Sequence, residues 1–450
     1  MKKNSTVGKK QVSVGFIALG CPKNIVDSEK MLAIIGSEGL CISSDPNNAD
    51  VVVINTCGFI EPAKLEALEV IKQAVKQKKK GAIGKIIVAG CLSERMGESL
   101  KTEIPGIDAI VGLGGRDSIA QVIKDTLAGG GGTYLPEHGA TINDDRGRLL
   151  ITPKHWAYLR ISEGCNRRCA FCTIPAIRGP FRSKPMDMVI SEAKELVSNG
   201  AVELSIIAQD SNYYGRDLKI ENGLSKLIQK LEKIKGLEWI RLMYLYPSGV
   251  DDLLLETVAE SKKVVRYFDL PMQHVNNEIL KRMRRADTRS KNEKLIERIR
   301  RLMPDAVLRT TFITGFPGET DEQFEELVEF IKWARFDALG CFTFYAEKGT
   351  VAAGMPGQVS EKVKKQRADR LMRAQQKIVF AKNKEKVGEK IKCLVEAASL
   401  DGSAQGRYYG QAPHIDSICI IKNCRKCAAG QFITAKITGA KGYDFIVSPQ

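Results

Sequence analysis

The feature that most constrains this chain is a group of three cysteines, Cys165, Cys169 and Cys172, spaced C-x3-C-x2-C directly after an apolar run at 158–162 that reads as a strand. Three thiolates this close, with no fourth cysteine nearby, suit three irons of a [4Fe–4S] cluster and leave the fourth iron open. Ferredoxin sites spend four cysteines on each cluster because they only move electrons. An open iron offers a coordination position to a substrate or cofactor, as a catalytic zinc does. A zinc site is the competing reading, but it would want a fourth ligand at short spacing. The next Cys or His after Cys172 is His274.

Upstream, three apolar, β-branched runs at 14–21, 50–57 and 85–91 each end at a cysteine: Cys21, Cys57 and Cys91. Helical patterns at 28–38 and 62–78 separate them, with apolar residues at three- and four-residue spacing. This alternation predicts parallel strands joined by right-handed crossovers. Parallel strands place their carboxyl ends on one edge, where open α/β sheets bind ligands. The three cysteines are therefore expected to converge. A single buried cysteine is more often a small hydrophobe, but three at equivalent topological positions argue for a second cluster. Cys41 falls at the opposite end and is read as unliganded. The glycine run at 129–132, with the polar stretch up to Arg148, reads as a linker.

From 151 to 385, strand-like runs at 158–162, 202–209, 239–246, 264–272, 306–314 and 338–345 alternate with helical patterns. Six β/α units predict an incomplete TIM-like barrel, in which reactive groups lie at the carboxyl ends of strands. The strand-end residues Gln209, Asp210, Gln273, Gly315, Gly318 and Glu319 are candidate cofactor contacts, and Phe171 is placed to cover an aromatic ring. The glycines would allow close backbone approach to a ligand. Lys281, Arg282, Arg284, Arg285, Arg289, Arg298, Arg300 and Arg301 read as either a solvated helix face or a phosphate-contacting one.

Residues 386–450 alternate polar and apolar at 390–396, 417–421, 432–438 and 444–447, which predicts a small antiparallel β-domain. Cys419 and the pair Cys424-x2-Cys427 carry a weak zinc signal, since no matching pair accompanies them. Histidine occurs only at His138, His155, His274 and His414, which disfavours a hydrolase built on a histidine base. His274, the one at a predicted strand end, reads as structural. No apolar run is long enough to span a membrane, and the basic start lacks a signal peptide's apolar stretch. Clustered rather than paired cysteines fit a reducing cytoplasm. The net charge of +16 favours an RNA-rich target.

The C-x3-C-x2-C spacing resembles the signature of radical S-adenosylmethionine enzymes. Leu19-Gly20-Cys21-Pro22-Lys23-Asn24, Asn55-Thr56-Cys57-Gly58 and Ala89-Gly90-Cys91-Leu92 resemble the amino-terminal domain of the methylthiotransferases, and the last segment resembles a TRAM domain, which implies a small antiparallel β-barrel for substrate recognition. The resemblance implies three domains, at 11–128, 151–385 and 386–450. It also implies two [4Fe–4S] clusters, S-adenosylmethionine cleaved at the Cys165/Cys169/Cys172 cluster, and a sulfur methylated at the auxiliary one. Pro22-Lys23-Asn24 and the stretch at 406–416, ending Ala412-Pro413-x-Ile415-Asp416, look like the branch that modifies an aspartate β-carbon. That aspartate lies in small-subunit ribosomal protein S-twelve, presented on the subunit or an assembly intermediate. His414 stands where that branch usually has Glu. The implied partners are a flavodoxin- or ferredoxin-type electron donor and rRNA. The alternatives are a tRNA-adenosine methylthiotransferase and a non-catalytic iron–sulfur carrier.

Overall fold

The computed structural model describes residues 11–136, 142–399 and 402–450; His138 lies outside them. The chain forms two compact units. The first takes in residues up to Ile151 together with Ile174–Pro180, and the second comprises Thr152–Thr173 and Phe181–Gln450.

In the first unit, β1 (Ser13–Ala18), β2 (Cys41–Ile42), β3 (Ala49–Thr56), β4 (Ile83–Gly90), β5 (Ala109–Val111) and β6 (Thr133–Tyr134) make one sheet. Their order is β2-β1-β3-β4-β5-β6, and every neighbouring pair is parallel. The three long strands are those read from the sequence. The other three have two or three residues, too few to show a period. Strand β3 is apolar almost throughout because both of its faces are covered, as parallel sheets require. Val52 and Ile54 pack with Ala67, Leu68 and Ile71 of α2 (Glu61–Lys79). Val51 and Val53 pack on the other face with Met31 and Ile35 of α1 (Pro22–Ser37).

The polar stretch after the glycine run is no free linker, and here the sequence reading is corrected. The sheet continues past 129–132 into β6. Further on, Arg148 pairs with Glu29 at 3.0 Å, both side chains 1% exposed, and Asp145 pairs with Arg116 at 2.7 Å. Charged residues read as solvated because their partners lie more than a hundred positions away or on another element. Helix α3 (Cys91–Met96) follows β4, α4 (Ser99–Glu103) and α5 (Ile119–Leu127) flank β5, and the short α6 (Ile174–Arg178) also belongs to this unit.

The second unit contains β7 (Trp156–Arg160), the antiparallel pair β8 (Ser162–Glu163) and β9 (Arg182–Ser183), then β10 (Glu203–Ile207), β11 (Trp239–Leu242), β12 (Val264–Gln273), β13 (Val307–Thr314) and β14 (Ala338–Thr343). Six of these form a sheet in the order β14-β13-β12-β11-β10-β7, all parallel. Each strand lies beside its predecessor, as single β/α crossovers dictate, and the ends stay open: a partial barrel. Helix Asp321–Ala334 starts at a capping box, with Thr320 and Gln323 satisfying each other's backbone N–H groups.

Helix Glu361–Glu385 leads to a closed barrel of β15 (Lys390–Ala398), β16 (Ala404–Tyr408), β17 (Cys419–Ile421), β18 (Phe432–Lys441) and β19 (Asp444–Pro449). One pair, β17 with β19, is parallel, which qualifies the antiparallel expectation. Strand β16 escaped the sequence reading because Gly406 interrupts its alternation. A Cβ there would lie 2.6 Å from the Leu394 carbonyl oxygen, so the close strand crossing requires glycine. The sulfurs of Cys424 and Cys427 face each other and Cys419 is buried. Among the described residues no helix is long and apolar enough to cross a membrane.

The barrel is docked on the partial barrel by buried charge. Glu203, on β10, accepts from Arg241 Nε of β11 and from Arg407 Nη2 of β16, each at 2.8 Å, and all three side chains are at most 2% exposed. Tyr267 donates to Asp416 at 2.7 Å, and Trp239 stacks edge-on against Phe432 with ring centres 4.8 Å apart.

Candidate functional site

In the first unit the three cysteines stand at equivalent strand ends. Cys21 caps the start of α1, Cys57 follows β3, and Cys91 opens α3 directly after β4. Gly20 has φ +98°, and a Cβ there would lie 2.8 Å from the Cβ of Cys57. The turn before Cys21 therefore needs glycine to bring the two thiol loops together. Two amides lock these loops. Asn24 Nδ2 donates to the Thr56 carbonyl at 2.8 Å, and Asn55 Nδ2 donates to Ser28 Oγ at 2.8 Å. Burial pushes the Cys91 thiol up to about 12, opposed by Arg178 and reinforced by the neighbouring Cys21 and Cys57. Burial raises Cys57 as well. Metal ligation requires the thiolates, so binding an ion there would release protons.

Among the described residues no group of three His, Cys, Asp or Glu side chains is close enough to hold a single metal ion. Cluster thiolates bind different irons, so they stand farther apart than the ligands of one ion. Soft thiolate ligands suit zinc and iron–sulfur clusters alike.

In the second unit Cys165, Cys169 and Cys172 follow β8 beside the carboxyl ends of the sheet. Their loop is stitched in place by Ala170, whose N–H donates to the Met283 carbonyl and whose carbonyl accepts from Ala352, both at 2.9 Å. The Arg167 N–H donates to Cys165 Sγ at 3.4 Å. Burial pushes Cys165 up to about 11, with Asp210 and Cys169 adding to the shift, and burial raises Cys169 against the pull of Arg285 and Arg167.

The remaining strand-end candidates divide by what they touch. Gln209 Nε2 donates to Glu163 at 2.7 Å, and Asp210 accepts from Arg167 Nε at 2.8 Å. Gln209 Oε1 and Asp210 Oδ1 are buried without a hydrogen-bond partner. Asn166, Arg167, Phe181, Asp210 and Tyr213 line a cavity of about 180 Å³. Gln273 has a left-handed backbone, φ 69°. Phe171 packs beside Phe316 in an apolar cluster with Met283 and Phe344.

The Gly-Phe-Pro-Gly-Glu segment closes on itself. Glu319, its side chain fully buried, accepts from the N–H of Gly315 at 2.7 Å and of Phe316 at 3.3 Å, and pairs with Arg367 at 2.9 Å. The room left by the missing side chains is taken by protein: a Cβ at Gly315 would strike Lys364, and one at Gly318 would strike Arg282.

Sequence reading passed over a cationic sandwich beside the cysteine loop. Tyr246 lies between the guanidiniums of Arg167 and Arg285, whose centres are 4.0 and 4.2 Å from its ring. The position of Arg167 between two cysteines was the one signal available. Arg285, counted in the basic segment, is buried against Asp287. Arg289 pairs with Glu293 and Arg298 with Asp252, so much of that segment is engaged within the fold.

Burial raises the Glu319 carboxyl to about 7, partly offset by Arg367 and the two backbone donors. Unfolding returns it to the ordinary 4.5. Between those values the folded state holds a proton that the unfolded state has lost, so this group's contribution to stability falls as pH rises and levels off above about 7. The shift corresponds to about 3 kcal/mol. Denaturant unfolding of the wild type and of Glu319→Gln at several pH values should show this decline in the difference between the two stabilities. Buried His274, its value lowered to about 3, lacks the proton that the unfolded imidazole binds below the ordinary 6.5, so it contributes the opposite slope across most of this window.

A three-thiol loop at the strand ends of an open parallel (β/α)6 sheet defines a class of enzyme, and the comparisons agree. Residues 159–331 match the Radical SAM superfamily, 13–112 match uncharacterized protein family UPF0004, and 387–449 match the TRAM domain. The chain is a radical S-adenosylmethionine enzyme, and that membership implies S-adenosylmethionine and [4Fe–4S] chemistry.

It is 44% identical to the ribosomal protein uS12 methylthiotransferase RimO of Thermoanaerobacter sp. over 96% of this chain and 99% of the relative. It is equally identical to the protein of that name from Pelotomaculum thermopropionicum, over 96% and 98%. The chain belongs to the RimO family of methylthiotransferases. Among solved structures, the radical S-adenosylmethionine methyltransferase TsrM from Kitasatospora setae is similar with a TM-score of 0.55 and 14% identity. That match covers 74% of this chain and 72% of that one, and it bears on the fold alone.

Proposed function

We propose that this enzyme adds a methylthio group to the β-carbon of an aspartate in ribosomal protein uS12. The observation that carries the reading is the presence of two separate three-cysteine sets, each at the carboxyl edge of its own parallel sheet. Cys165, Cys169 and Cys172 would hold the cluster at which S-adenosylmethionine binds, and Cys21, Cys57 and Cys91 an auxiliary one. When bound, these groups supply the radical and the sulfur; the protein's own part is binding, orientation and exclusion of water. Gln209 and Asp210, with their unpartnered buried oxygens, would receive polar groups of S-adenosylmethionine. Phe171 would lie against its adenine. Gln273, Gly315, Gly318 and Glu319 would shape the neighbouring wall.

The domains would divide the work: 11–128 for the auxiliary cluster, 151–385 for radical generation and 386–450 for substrate recognition. Such an enzyme would work in the cytoplasm, with a flavodoxin- or ferredoxin-type donor, on uS12 carried by the small subunit or an assembly intermediate. If Lys and Arg contact rRNA phosphates there, binding weakens as salt rises. The test offers purified, reconstituted enzyme both uS12-containing particles and tRNA under identical anaerobic conditions. A mass gain of one methylthio group on uS12 is expected. Gain on tRNA alone would overturn the substrate assignment and favour a tRNA-adenosine methylthiotransferase. Absence of 5′-deoxyadenosine with either substrate would favour an iron–sulfur carrier.

A further inference from the structure

Helix α6 begins two residues after Cys172 and ends in the first unit at a buried arginine. Arg178 is 2% exposed. Its Nη2 lies 2.7 Å from Asn24 Oδ1, 3.2 Å from Asp27 Oδ2 and 3.3 Å from Cys91 Sγ. A buried guanidinium is tolerated only when paired and hydrogen-bonded. Asp27 supplies the countercharge, which it shares with Arg116 at 3.3 Å. Asn24 is the residue whose amide also ties the Cys21 loop to β3. Ile177, one residue earlier, packs with Cys91 and Leu113 in a small apolar cluster. The sulfur of Cys91 is therefore approached by hydrocarbon and by directed polar groups, of which the guanidinium is the charged donor.

Hydrogen bonds to ligand sulfur and the local net charge are among the factors that set the potential of an iron–sulfur cluster. A donor on the thiolate withdraws electron density, and nearby positive charge favours the more negative, reduced state. We propose that Arg178 is a positioning residue for the auxiliary cluster: it orients the Cys91 thiolate and, through its N–H···S bond, raises that cluster's midpoint potential. The proposal rests on Cys21, Cys57 and Cys91 being cluster ligands. It assigns to the stretch just beyond the radical-generating cysteines a residue that tunes the other cluster.

The test uses the full-length chain carrying Cys165→Ala, Cys169→Ala and Cys172→Ala, so that the auxiliary cluster alone contributes. Arg178→Met and Arg178→Lys are added to it separately. Iron content, chelator resistance and the midpoint potential, followed by electron paramagnetic resonance, are compared after anaerobic reconstitution. In the Met variant the midpoint should move to a more negative value, and iron should be lost faster to chelator. The Lys variant, which keeps charge but not the planar fork, should fall between. Equal midpoints in all three proteins at full iron content would overturn the proposal. Loss of iron in the Met variant with an unshifted Lys variant would also overturn it, leaving Arg178 a folding role only. If the parent triple-alanine protein binds no iron while folded, the ligand assignment itself fails, a result distinct from either.

Discussion

Replacing Cys169 by alanine should reduce formation of 5′-deoxyadenosine from S-adenosylmethionine to background, whereas Cys57→Ala should retain it and lose methylthio transfer. Each set has three thiols, so loss of one leaves a cluster short of a ligand. The sets lie in different compact units, on different sheets, and neither substitution removes a ligand of the other. Cysteine to alanine at a partly exposed loop position removes little packing, so the fold should persist within the modest cost of such a change. Reconstituted protein should hold about eight irons, and the Cys165/Cys169/Cys172 triple-alanine variant about four, the count for one remaining [4Fe–4S] unit. Iron analysis and product assay together decide the matter. Equal loss of cleavage in the Cys57 and Cys169 variants, both folded, would refute this division.

Removing the carboxylate of Glu203 should cost about 3 kcal/mol or more, within the range for breaking a buried ion pair. The group is fully buried between Arg241 and Arg407. Burial alone would raise its pKa, but the two guanidiniums outweigh that and hold the carboxyl below its ordinary value. The stability it contributes is therefore present above the unfolded-state pKa and is lost as pH falls. After Glu203→Ala, Arg407 keeps Glu396 and the Gln411 carbonyl, and Arg241 keeps the Tyr409 carbonyl. Those remaining partners place the effect near the lower end. Urea unfolding should show a reduced midpoint. The fluorescence of Trp239, packed on Phe432 of the small barrel, should report loosening of the docked face. A loss well under 1 kcal/mol would mean that the apolar contacts dock the barrel unaided.

The docking changes the meaning of one sequence feature. The stretch at 406–416 resembled a substrate-branch signature, yet its residues are heavily used inside the protein. Arg407 binds Glu203, Asp416 accepts from Tyr267, and Tyr409 donates to the Asp305 carbonyl. His414, at φ 61°, stacks edge-on against Trp156 with ring centres 4.9 Å apart. A pattern shared within a branch can thus record how the barrel sits on the sheet, with no substrate contact required.

What the sequence by itself determined was the placement of the six cysteines. Strand and helix periods are local, and parallel topology sends every strand end to one edge. The six long strands of the partial barrel and the three long strands of the first sheet were legible for the same reason. Strands of two or three residues were not, nor was β16 with its central glycine. Only the tertiary structure decided which charged residues pair with one another. Arg178 meets Asn24 across 154 positions, and Arg407 meets Glu203 across 204. Tyr246 became the centre of a cationic sandwich through contacts from two other segments. Period and spacing carry no trace of such pairs, because a buried charge is satisfied by whatever the fold brings within hydrogen-bond reach, however distant in the chain.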